Sequence, residues 1–240
     1  MRSAILLACL ALLGGACGST TYYRPGTTWR VSPEAPDQID DDDIRTAFEA
    51  RPQLPGRARV AYFTFDQPHT EALGAMLREL PRVDGVYEIA PLWVTGERRL
   101  EEPRSEQLEP APPRELSMRQ LRLLAARAHC ELLVVVDHGV RTTRSANGWT
   151  ALAPLIVPLF FAPMVDAEVE STMDAYLIDV RNGHLYGHLT SREQARVGEQ
   201  GLFESRERAL ASEQWAALMD RTRSALEHTL AEGPEIAAAR

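Results

Sequence analysis

The sequence predicts an α/β fold, in its α+β variant: a mixed sheet built from β-α-β-α-β, followed by an antiparallel hairpin and a long C-terminal helix. Three observations predict it. Leu132-Leu-Val-Val-Val136 is a continuous apolar run of strand length, as a central strand covered on both faces requires. Ahead of it, strand-like and helix-like stretches alternate, which implies right-handed crossovers and layered packing. After it, Asn182-Gly183 stands between two strand-like runs, a strong hairpin signal because both turn positions need positive φ.

The chain has 240 residues, enough for one compact domain with extended ends. Met1-Arg2 followed by the uncharged apolar stretch Ala4 to Leu13 reads as a secretory signal peptide, too short to span a bilayer. Small residues lead to Cys17, so residues 1–16 are expected to be removed. Leu6-Leu7-Ala8-Cys9 is an alternative cleavage pattern, but it leaves an apolar region of only about five residues. Residues 17–56 combine Gly, Ser, Thr and Pro with the run Asp40 to Asp43 and read as an acidic, flexible tether. The aspartates lack the alternation and glycine of a calcium loop; they favour the start of a short helix, Ile44 to Phe48.

The α/β domain is expected over 57–232, with a frayed tail at 233–240. Arg59 to Phe65 is rich in β-branched and aromatic residues, hence a strand. Asp66-Gln-Pro68 suits a helix start, with Asp66 as cap. Leu73, Met76, Leu77 and Leu80 then recur at helical spacing until Pro81. Gly85 to Val94 reads as a second strand, and the charged, proline-bearing 98–114 as an exposed loop. Ser117 and Gln120 form a capping box ahead of a helix whose buried stripe is Leu121, Leu124, Ala125 and Ala128. That helix runs into Leu132 to Val136 past Cys130, which reads as a buried small hydrophobe. Residues 168–180 and 184–197 form the hairpin. In the final helix, Trp215, Leu218, Met219, Thr222, Leu226 and Leu230 share one face.

Trp149 to Val165 is uncharged and carries Pro154, Pro158 and Pro163, which forbid a regular helix and damage a central strand. It reads as an irregular loop packed on the sheet, an exposed apolar patch touching a membrane or partner, or part of an oligomeric pore. As a patch, its interaction surface would centre on Trp149, Leu155, Phe160 and Phe161.

Composition excludes several chemistries. All 26 basic residues are arginine, so no P-loop lysine, Schiff base or kinase lysine exists. A formal charge of −8 argues against a nucleic-acid binder. No G-x-S-x-G, H-E-x-x-H, C-x-x-C or post-strand G-x-G-x-x-G occurs. Among the six histidines, His184 and His188 on one strand would stand roughly 13 Å apart, too far to share an ion. Asp137-His138 lies at the end of the apolar strand, where α/β sheets place ligand groups, though adjacent residues point to opposite faces. His69, His129 and His228 read as helix-surface or helix-end residues. No catalytic residue, cofactor site or metal ligand is therefore assigned.

Leu13-Gly-Gly-Ala-Cys17 resembles the lipobox of bacterial lipoproteins. Together with Arg59 to Phe65, Ala125 to Val136 and Asp174 to Gly183, it makes the chain resemble the rhombotarget lipoproteins. More broadly, residues 58–200 are similar to the α/β domain of curli-secretion lipoproteins, penicillin-binding-protein activators and the Tol translocation protein's N-terminal domain. The resemblance implies an acylated Cys17 and, with Gly18 after it, an outer-membrane anchor on the periplasmic face. The function expected is that of a non-catalytic envelope protein, anchored to the membrane through its N-terminal lipid and binding an envelope protein or itself, with no nucleic acid. Two alternatives stand: a small-molecule or glycan binder or hydrolase using the sheet end near His138, and a subunit of an oligomeric membrane assembly.

Overall fold

A computed structural model describes residues 19–23, 29–32, 41–91, 94, 114–146, 163–200 and 206–232. Cys17, residues 98–113 and the four surface candidates Trp149, Leu155, Phe160 and Phe161 lie outside the described residues. The elements are β1 (Ser19–Tyr23), β2 (Trp29–Ser32), α1 (Asp41–Glu49), β3 (Ala58–Thr64), a 3-10 turn (Gln67–His69) and α2 (Thr70–Arg78). They continue as β4 (Val83–Glu88), β5 (Arg114–Ser117), α3 (Met118–Arg127), β6 (Leu132–Ala146), β7 (Pro163–Asp179), β8 (Leu185–Gln200) and α4 (Arg206–Glu232). The main sheet runs β4-β3-β6-β7-β8, with β1 also on β6, and β2 pairs with β5 separately. β3 is parallel to both β4 and β6, whereas β1 is antiparallel to β6, so the sheet is mixed and the fold α/β as the sequence predicts.

Several differences from the sequence reading are local. β7 begins at Pro163, inside the segment 149–165 read as irregular; as the first residue of the strand, the proline is tolerated. Two short strands, β1 and β2, lie within the segment read as a tether, where Thr, Tyr, Trp and Val supply strand-forming side chains. The strand predicted to reach Val94 stops at Glu88. Ile89 still donates its N–H to Tyr62 O, but Pro91 has none to give and ends the ladder.

The chain divides into two compact units. The larger comprises 25–138, 173–191 and 219–240. In it, Ala61, Phe63 and Phe65 of the β3 segment and Leu133 and Val135 of β6 form one buried cluster with Leu121 and Ala125 of α3. Ser117 caps α3, its hydroxyl accepting from Arg119 N at 3.2 Å. His129, at φ 55°, closes the helix in the left-handed conformation, and the buried thiol of Cys130 follows. Alternation turns Val60, Tyr62, Leu132 and Val134 to the other face. There α2 lies against Tyr62, and α4 is tied to the end of α2 by Arg223–Glu79 at 2.8 Å and to Arg82, whose guanidinium donates to Leu230 O at 2.6 Å. On α4, Met219, Thr222, Leu226 and Leu230 are buried, and Trp215 earlier on the same stripe is partly so, which is the predicted face.

Gly74 is the close-approach position of α2. A Cβ placed there would meet the Tyr62 hydroxyl at 2.5 Å and ring carbon Cζ at 3.0 Å, and Tyr62 is itself buried. We therefore expect Gly74→Ala to cost about 1–3 kcal/mol by overpacking, despite alanine's better helix propensity. Adding Tyr62→Phe removes the nearest atom, so the double variant in urea unfolding should recover part of the loss. Equal, additive costs would show that the contact is not the cause.

The hairpin turn departs from the predicted form. Gly183 has φ +76°, but Asn182 does not share the positive φ that a two-residue turn needs. Five residues connect β7 to β8, organised by Asp179: its Oδ1 accepts from Arg181 N at 2.8 Å, and its Oδ2 from the Tyr186 hydroxyl at 2.8 Å. Tyr186 Oη also accepts from Gln53 N, and Asn182 Nδ2 donates to Arg51 O, which fixes the chain just before β3 on the turn.

The smaller unit comprises 1–24, 139–172 and 192–218. In it β1 pairs with β6 from Ser19 opposite Arg144 to Tyr23 opposite Val140. Ala167, Val169 and Ser171 share the buried face of β7, while Glu168 and Glu170 on its other face meet Arg196 and Arg192 of β8. The buried Ser171 is satisfied by α4: its hydroxyl donates to Gln214 Oε1 at 2.6 Å, and Gln214 Nε2 donates to Val169 O at 2.9 Å. Gln214→Leu leaves the serine hydroxyl buried and unpaired, at an expected cost of about 1–3 kcal/mol. Pairing it with Ser171→Ala should return most of that cost in a double-mutant cycle.

Candidate functional site

β3 and β6 are parallel neighbours, and their pairing closes at Thr64 opposite Val136, where β3 ends and β6 runs on to Ala146. Phe65 N extends the pairing to Val136 O. The next residue on one strand is Asp66 and, two past Val136 on the other, comes His138, both 3% exposed. The chain then tightens into the 3-10 turn, with His69 N bonded to Asp66 O at 3.1 Å, which brings the His69 ring back over Asp66.

The result is one carboxylate oxygen between two imidazoles. His69 Nδ1 lies 2.6 Å and His138 Nδ1 2.8 Å from Asp66 Oδ2. The rings stand edge to face, 6.2 Å between centroids. Asp66 N donates to Thr64 Oγ1 at 3.0 Å, which holds the carboxylate's backbone in place. The side chains of Asp66 and His138 are 4% exposed, whereas that of His69 is 38% exposed and forms the open side. Burial alone would push the Asp66 carboxyl up, but hydrogen bonds from His138 and His69, and their positive charge, hold it below its ordinary value. An ionised carboxylate accepts only, so each ring presents Nδ1–H to it, and His138 Nε2 on the far side of its ring has no hydrogen-bond partner among the described residues.

One ligand atom from each of Asp66, His69 and His138 lies within 4.8 Å of the others, the geometry of a possible three-ligand metal site. A buried carboxylate with two histidines offers one anionic oxygen and two nitrogen donors, a set that borderline divalent metals accept. It can equally hold a polar ligand entering past His69.

Sequence reasoning found the place but not the constellation. His138 is expected at the end of the apolar strand, but β6 continues to Ala146, so His138 stands within it, beside the end of β3, and its carboxylate partner is Asp66, not the neighbouring Asp137. Asp66 does not cap α2: the residue at the cap is His69, which makes no side-chain cap bond, because the carboxylate is committed to the two rings. The available signal was an Asp-x-x-His placed directly after one strand and a His directly after the run next to it. The other histidines are dispersed. His188 lies 3.2 Å from Asp174 and stacks on Tyr176, with ring centroids 4.3 Å apart, and His184 packs edge-on against Tyr186.

No family model matches the chain, and no curated protein matches it. The structure alone defines its class: an α/β domain with a mixed sheet and a carboxylate–histidine cluster where the pairing of two parallel strands ends.

Proposed function

We propose that the chain is a lipid-anchored, non-catalytic protein of the bacterial envelope that works by binding another envelope protein. The observation that carries this reading is α1. Ile44 and Phe48, one turn apart on the same helix face, are 60% and 90% exposed on an otherwise acidic helix. Single exposed apolar residues are ordinary, but a paired i, i+4 anchor is what an amphipathic helix offers to a hydrophobic groove. The pair follows Cys17 and β1 along the chain and precedes β3. No helix among the described residues is long and apolar enough to cross a membrane, and acylation of Cys17 would supply the attachment.

In-cell crosslinking with mass spectrometry on the tagged full chain tests this. Ile44→Ser/Phe48→Ser should remove a specific partner, or self-crosslinks, while leaving the melting temperature unchanged. A second variant, with 149–162 replaced by a Gly-Ser linker, asks the same of the apolar segment and leaves β7 intact. Crosslinks identical in wild type and both variants would end the protein-binding reading. A second reading, a small-molecule binder at the sheet end, is favoured by the buried Asp66–His69–His138 cluster, and a ligand whose saturable binding is lost in His69→Ala would support it.

A further inference from the structure

We infer that Asp66, His69 and His138 form a binding site for a divalent transition metal of the zinc class. The inference deepens the ligand-binding reading of the sheet end and is independent of the partner surface on α1. It begins with charge. Asp66 is buried, and its only ion-pair partners among the described residues are the two histidines. A buried carboxylate is expensive unless it is paired and hydrogen-bonded, and these two rings are what the protein supplies for it. His138 Nε2 is a buried ring nitrogen with no hydrogen-bond partner among the described residues.

A divalent cation resolves the charge. Bound by Asp66 Oδ2 and both Nδ1 atoms, it would take the place of the two Nδ1 protons and supply a counter-charge to the carboxylate, each neutral ring then carrying its proton on Nε2. Metal bonds of about 2.0–2.1 Å place ligand atoms roughly 3.3 Å apart, so the present 2.6 and 2.8 Å separations need to open by about 0.7 and 0.5 Å. Two of the three ligands come from rigid places, β6 and the residue held by Thr64, while His69, on the exposed 3-10 turn, can swing to meet the ion. Three protein ligands with one open side match the ligand count of zinc sites that keep a coordination position for a further group. Two histidines with one carboxylate also suit iron(II) or manganese(II), and zinc serves as the probe because it is free of redox chemistry.

The test is zinc chloride titrated by calorimetry into the metal-stripped, detergent-purified full chain carrying no polyhistidine tag, with cobalt(II) absorption as a second reading of the donor set. One equivalent is expected to bind, and His69→Ala should weaken it at least tenfold. His69 is half-exposed, so this variant is expected to fold and its melting curve reports whether it does. Asp66→Asn should abolish the cobalt spectrum. Absence of zinc uptake at about a hundred micromolar, or uptake unchanged in His69→Ala, would overturn the site. A chain that takes up no zinc yet binds an organic ligand through His69 overturns the metal assignment and keeps the sheet end as a ligand site. Zinc uptake with crosslinks unaffected by Ile44→Ser/Phe48→Ser supports the metal and removes the partner surface.

Discussion

Leu133→Ala is expected to destabilise the protein by about 2–5 kcal/mol and to lower the melting temperature on the order of 10 °C. Leu133 is 0% exposed and stands near the start of β6, beside β3 in register with Ala61. It belongs to the cluster that joins β3 and β6 to α3, with Phe63, Ile89, Leu121 and Ala125 around it. Those neighbours are held by a parallel ladder and by a helix capped at both ends, so they cannot collapse into the space left behind. The cost is then the lost transfer energy of the side chain plus the cavity, and the upper half of the range applies where relaxation is least. Leu133→Ile keeps the volume and should cost less than about 1.5 kcal/mol. Urea unfolding of the two variants separates cavity from shape, and a Leu133→Ala cost below 1 kcal/mol would mean that α3 closes onto the sheet.

The predicted elements that formed were those written in local pattern. Leu132 to Val136 is buried at every position, and such a run admits few other placements. The stripe Met219, Thr222, Leu226 and Leu230 on α4 was likewise readable from its spacing, threonine included: its hydroxyl meets the Met173 sulfur at 3.3 Å, so a polar residue in a buried register is accommodated. What local pattern could not carry is pairing over distance. Asp66 and His138 are 72 positions apart, and nothing near Asp66 distinguishes a helix cap from a buried ligand group. Both roles use the same residue in the same place after a strand. Only the adjacency of β3 and β6 decides between them. Ser171 and Gln214 are similar: each looks like surface until the register of β7 against α4 turns both inward.

His138→Ala carries the second large effect, and its sign is set by the charge it abandons. The substitution removes the more deeply buried of the two imidazoles and leaves the Asp66 carboxylate with His69 alone, on the exposed side. Removing the buried partner in this way costs about 3–5 kcal/mol, because the carboxylate keeps only one of its two ring partners, the one on the exposed side. Asp66→Asn in the same background removes that charge, so the double variant should be more stable than the two single costs added together, with a coupling of about 1–3 kcal/mol. His69→Ala should cost no more than about 1 kcal/mol, since solvent reaches that side. Acid unfolding of the metal-stripped chain checks the same point independently. The folded-state carboxyl lies below its ordinary value, so its stabilisation is present above the ordinary carboxylate range and is lost as pH falls through the lowered folded value. Asp66→Asn should lack that part of the acid-side loss. Additive single costs, or an acid profile unchanged in Asp66→Asn, would mean that the carboxylate and His138 touch without holding one another, and the sheet end would then owe its order to the strands alone.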